Sequence, residues 1–114
     1  MVDSVAIVVG ILASALDVPV STEIPEQRPD RFVLVGRDGG GGDEFVDKPR
    51  ILTLCWGTSD SDVEAIASDV FDALSSAAET DEHLFSAECE TKSGIYKQGS
   101  GARCRIVFDL VINQ

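Results

Sequence analysis

Basic residues are scarce in this chain of 114 residues: nine Lys and Arg stand against 20 Asp and Glu, a formal charge of −11. A dedicated nucleic-acid binder needs the opposite balance, a basic stripe that neutralises phosphates, so that class is disfavoured. Cysteine is also sparse. Cys55, Cys89 and Cys104 are an odd number, widely spaced and without a CxxC pair, which leaves zinc ribbons and thioredoxin-type chemistry unsupported. Each falls in a segment with strand character, where a free thiol serves as a small buried hydrophobe. There is a single histidine, His83, beside Asp81 and Glu82. Neighbours on an extended chain point to opposite faces, so three in a row rarely converge on one ion. Nor does anything orient His83 toward a cysteine nucleophile. Long apolar runs are missing too. Val5 to Leu16 falls short of the roughly 17–25 residues that cross a bilayer. Asp3 stands where a signal peptide carries Lys or Arg, so a cytosolic protein is expected, with no membrane partner.

What is present fits an ordinary globular chain, with 44% hydrophobic and 25% charged residues. The length predicts a single domain over 1–114 and one modest core that needs no staples. The charge is unevenly spread. Residues 59–91 hold ten acids and neither Lys nor Arg, whereas residues 92–114 hold four bases and one acid. Such segregation either decorates a solvated acidic helix face or orients neighbouring subunits, acidic face to basic face.

Periodicity predicts the elements. A first helix is expected over Ser4–Leu16, capped by Asp3 or Ser4. Val5, Ile7, Val8, Val9, Ile11 and Leu12 make it apolar nearly all round, so it demands cover on both sides. The second cover is either the chain's own core or another subunit, which makes Val8 and Ile11 candidate interface residues. Val18–Ile24 reads as a short edge strand, because Pro19 cannot donate to a ladder. Arg31–Val35 and Arg50–Trp56 are apolar on both faces and read as the arms of a long antiparallel hairpin. Its flexible tip, Arg37–Asp47, holds Gly39, Gly40, Gly41 and Gly42 on a loop able to reach a partner; with Arg103 and Arg105 these glycines are further candidate interface residues. Ser61 and Glu64 form the pattern of a capping box for a second helix. Val63, Ile66, Ala67, Val70, Phe71 and Leu74 would make its buried stripe, Asp69 and Asp72 would point away, and the helix would fade near Ser75–Ala78. Leu84–Thr91 and Arg103–Asn113 alternate with period two and would form a second hairpin turning at Gln98–Gly101. The expected fold is α+β: a mostly antiparallel sheet with two helices packed on one side, in the order helix, three strands, helix, two strands.

Motifs that carry chemistry are not supported. The glycine run lacks the Lys and Ser/Thr of a phosphate loop and is followed by Asp43 and Glu44. Asp60, Asp62 and Glu64 open like an EF-hand loop, but Ala65 takes the place of its glycine and Phe71 that of its closing glutamate. Arg103 and Arg105, with Lys97, form a small basic rim that lacks interleaved aromatics. Ion pairs to the acidic helix are their expected use. No catalytic, metal-ligating or cofactor-binding residue is assigned, and no cofactor is expected.

Taken together, several segments resemble the tail terminator (tail completion) proteins of long-tailed phages and related prophages. The resemblance runs over nearly the full length. It rests on the hydrophobic opening helix, Val18-Pro19-Val20-Ser21-Thr22-Glu23-Ile24-Pro25, and Arg31-Phe32-Val33-Leu34-Val35 before a glycine-rich loop. Asp47-Lys48-Pro49-Arg50-Ile51 leading to Cys55-Trp56, Val63-Glu64-Ala65-Ile66-Ala67 with Ala73-Leu74, and a last strand from about Arg103 complete it. It implies a non-enzymatic virion protein, commonly a hexameric ring, that caps the tail tube, stops its polymerisation and presents a surface for joining the head. The implied partners are further copies of the chain, the tail-tube protein and a head-completion or neck protein. Genomic DNA would pass the lumen without specific binding, sliding past an acidic wall.

Two other functions remain open on the sequence. One is a head-closure or connector protein, also a ring but on the portal side. The other is a small-ligand or metal-binding domain centred on His83, which would be a monomer or dimer with a convergent polar pocket.

Overall fold

The computed structural model describes residues 3–43, 45–80, 84–92, 96–97 and 102–113. Helix α1 spans Ser4–Ala15 and α2 spans Asp60–Thr80. The strands are β1 (Val20–Ser21), β2 (Phe32–Gly42), β3 (Val46–Gly57), β4 (Leu84–Lys92), β5 (Tyr96–Lys97) and β6 (Ala102–Asn113). They form one sheet in the order β1-β2-β3-β6-β4, with the two-residue β5 also paired to β6. Every pair is antiparallel except β1 with β2. The α+β class and the order of elements are as the sequence predicts.

Asp3 caps α1: its side chain accepts from the Ala6 amide at 3.1 Å. The helix closes at Leu16, whose N–H donates to Leu12 O at 2.8 Å. Val8 and Leu12 lie in the core, while Val5, Ile7, Val9 and Ile11 are only partly covered. The edge strand shrinks from the expected seven residues to two. Pro19 supplies only its carbonyl, which accepts from Val33 N at 2.9 Å, and the chain then turns off the sheet, leaving Ile24 exposed.

The main departure is the hairpin. The glycines are not a loose tip: β2 continues through Gly42 and pairs with β3 as far as Asp47. One irregularity interrupts the ladder between Arg37 and Gly40, where two residues of β2 face one of β3, a bulge. Gly40 has φ +101°, and a Cβ there would meet Lys48 O and lie 2.7 Å from Arg50 N, so glycine is required. Arg37 locks the arm by donating to both carboxylate oxygens of Asp47 at 2.7 and 2.9 Å. Glycine is a poor strand former. Here β6 pairing along the other edge of β3, out to Val46 with Asn113, overrides that preference.

Helix α2 starts one residue before the expected capping box and runs past the expected fade. Ser59 is the cap: its Oγ accepts from Asp62 N at 3.2 Å. Asp62, not Glu64, reaches back, accepting from Thr58 N at 2.9 Å. Gly57 makes this join possible, since a Cβ there would sit 2.7 Å from Val63 Cγ2. Val63, Ile66, Ala67, Val70 and Leu74 are buried as predicted, but Phe71 is 41% exposed at the rim, its ring 6.0 Å from that of Phe108.

Both helices cover the same face of the sheet, and their buried stripes meet Val33, Val35, Ile51, Cys55 and the inward side of β6. On β6 that side is Ala102, Cys104, Ile106, Phe108, Leu110 and Ile112, all buried, which confirms the alternation read from the sequence. Each fully buried aliphatic side chain is worth about 1.5–3 kcal/mol. Thr53 is polar within this core and is satisfied by donating to Ile106 O at 3.0 Å. The expected turn at Gln98–Gly101 lies outside the described residues.

Candidate interaction surfaces

Three surfaces follow from this layering. The first is a groove on the outer side of the helical layer. Ala6, Ile7, Gly10 and Ile11 of α1 form one wall, and Ala73 and Ala77 of α2 the other, with Asp69, Asp72, Ser14 and Ser76 around them. Small side chains at positions 6, 10 and 14 leave the groove shallow, and nothing would obstruct a Cβ at Gly10. Helix α1 carries no charged residue, and the charges of α2 are all acidic. Asp60, Glu64, Asp69, Asp72 and Glu79 are exposed along α2, and neither helix has a base in its last turn. Ile11 thus borders an open surface. Val8 does not: it has no accessible surface and belongs to the chain's own core.

The second surface is the opposite face of the sheet. Among the described residues no helix lies over it. Register places its side chains in rows across the strands. Phe32, Trp56 and Arg103 form one row, Leu34, Leu54 and Arg105 the next, and Gly36, Leu52 and Val107 the third. Phe32 and Trp56 are buried, with ring centroids 5.7 Å apart. The guanidinium groups of Arg28 and Arg103 lie 5.1 and 5.9 Å from the Trp56 ring centroid, within cation–π reach. Leu34, Leu52 and Leu54 remain only half-buried. Arg105 reaches Asp38 at 3.9 Å with about half of each side chain in solvent. The expectation that Arg103 and Arg105 pair with the chain's own acidic helix is therefore corrected. Period-two alternation sends them to the side away from α2, because Cys104 and Ile106 occupy the side facing it.

The third surface is the tip of the β2–β3 arm, carrying Gly39, Gly40, Gly41 and Gly42. Asp43 organises the turn, its Oδ1 accepting from Phe45 N at 2.8 Å and Val46 N at 2.9 Å. These two backbone bonds hold the Asp43 carboxyl below its usual range. Phe45 stands outward, 69% exposed. Sequence reasoning missed Phe45, although an aromatic directly after Asp43 and Glu44 in a glycine-rich segment was the available signal.

Ion pairs fasten the ends of the fold. Arg31 Nε lies 3.1 Å from Asp62 Oδ1, joining the start of β2 to the N-terminus of α2. The Thr58 amide, and secondarily Arg31, hold the Asp62 carboxyl below its usual range. Bonding to Asp47 pushes the Arg37 guanidinium up. Cys55 and Cys104 are buried and face each other across β3 and β6. His83, Asp81 and Glu82 lie outside the described residues, as does the side chain of Lys97. Among the described residues no three of His, Cys, Asp and Glu gather at one point, and no helix is long and apolar enough to cross a membrane.

No family model matches this sequence, and no curated protein does. The fold itself has a counterpart. A chain in the virion of a native gene transfer agent particle superimposes with a TM-score of 0.61 at 16% identity, covering 97% of this chain and 87% of that one.

Proposed function

We propose that this chain is a structural, non-catalytic component of a virion, of the tail-terminator kind. It would form a ring that caps a tail tube, ends its growth and offers a surface for joining the head. One observation carries this reading: its fold, over almost its whole length, is that of a chain in a gene transfer agent virion. The tail-terminator resemblance in the sequence points the same way. The half-covered Leu34, Leu52 and Leu54 supply what a self-assembling protein needs, apolar area still to be buried.

Native mass spectrometry of the purified chain, followed by negative-stain imaging, tests the proposal. A closed ring, hexameric in this reading, that binds the ends of tail tubes is the expected result. A chain that stays monomeric at high concentration and leaves tube ends bare would overturn it.

A further inference from the structure

The sheet face and the helical layer are chemical opposites on two sides of one small domain. Each has an apolar middle of similar kind. Leu34, Leu52 and Leu54 stand on one side, and Ile7, Ile11, Ala73 and Ala77 on the other. Their charged surroundings differ in sign. Around the leucines and Trp56 stand Arg28, Arg103 and Arg105, with Asp38 against Arg105; Asp109 and Glu88 lie on the same face beside Arg50, one row beyond Val107. Exposed Asp69 and Asp72 border the helical groove, Asp60, Glu64 and Glu79 are exposed elsewhere along α2, and no Lys or Arg occurs from residue 59 to 91. Arg103 and Arg105 cannot serve that acidic layer within their own chain, since the sheet separates them from it.

We infer that the occupant of the sheet face is the α1–α2 surface of a second copy of this chain. The contact is head-to-tail. The arginines of one protomer meet Asp69 and Asp72 of its neighbour, and the leucines settle on the small-residue groove. Small side chains at Ala6, Gly10 and Ser14 let the partner's sheet approach closely. Such a contact is heterologous, so each copy keeps one unused surface of each kind, and repetition gives a ring when the rotation closes. This inference rests on the ring reading above and names the two surfaces that build it.

Paired charge reversals with mixing test it. Variant one is Asp69→Lys with Asp72→Lys. Variant two is Arg28→Glu with Arg105→Glu. All four positions are on the surface or partly exposed, and circular dichroism and thermal melting check that each variant folds. Sedimentation velocity at low salt then reads association. Each variant alone should assemble at least tenfold more weakly than the wild type. The equimolar mixture should regain assembly, because each reversed surface then meets its reversed complement in alternating order. A wild type that never assembles removes the ring reading and this inference together. A wild type that assembles while both variants assemble equally well, or a mixture that fails to recover, removes this inference and leaves the ring reading standing.

Discussion

Asp62 ties the N-terminus of α2 to the start of β2. It accepts from the Thr58 amide at 2.9 Å and from Arg31 Nε at 3.1 and 3.2 Å. Asp62→Ala removes both and should cost about 1–2 kcal/mol at neutral pH, the range of a lost helix cap, read by urea denaturation. The pH dependence has a definite sign. The folded carboxyl titrates below its ordinary value of 3.8. Its stabilisation is therefore complete above that value and is lost as pH falls through the lower, folded one. The stability gap between wild type and Asp62→Ala should narrow below about pH 4. That an acid caps α2 was legible in the sequence; which one was not. Ser59 with Asp62 and Ser61 with Glu64 have the same spacing, and local pattern treats them alike. Arg31, 31 positions away, and the close approach at Gly57 decide between them, and both are tertiary facts.

Single elements carry the next two predictions. In the β2–β3 arm, Gly40→Ala forces a Cβ against Lys48 O at a positive φ, whereas the Cβ of Gly41→Ala enters open space. Gly40→Ala should cost about 1–3 kcal/mol, as strained backbone positions do. Gly41→Ala should change stability by less than about 0.5 kcal/mol. Thermal melts of the pair check both. In α1, Val8→Asp buries a carboxylate in the core and should unfold the chain, losing more than about 4 kcal/mol. Ile11→Asp, at the groove wall, should keep the native circular dichroism spectrum. Sequence periodicity saw that α1 is apolar all round but could not divide its residues between inner and outer cover. The division depends on where α2 lies beside it. The arm was misread at its tip for a similar reason: four glycines carry no strand signal of their own. They are drawn into the ladder by Arg37 with Asp47 and by the β6 pairing of β3.

For the molecule as a whole, charge acts within each chain and between chains with opposite sign. Seven tenths of the ionisable side chains are acidic, counting Asp and Glu against Lys and Arg, and they repel one another. Raising salt from about 0.05 to 0.5 M shortens the screening length from over 10 Å to under 5 Å. The melting temperature should rise while association, read by sedimentation, weakens. A parallel rise in both would speak against pairing of acidic and basic faces. The sequence exposed the segregation of charge along the chain, in residues 59–91 and 92–114, but not its segregation in space. That required the β3–β6 register, which turns Arg103 and Arg105 away from α2.

The unlike chemistry of the two sides also bears on how a circle of copies would complete itself. Every unfinished arc in the proposed arrangement ends in one bare sheet and one bare pair of helices, so no short arc is self-satisfied. The last copy to arrive seals both ends at once, gaining two junctions while giving up its tumbling freedom a single time. Arcs of intermediate length would then be rare, and a dilution series would show lone chains giving way to finished circles with little in between.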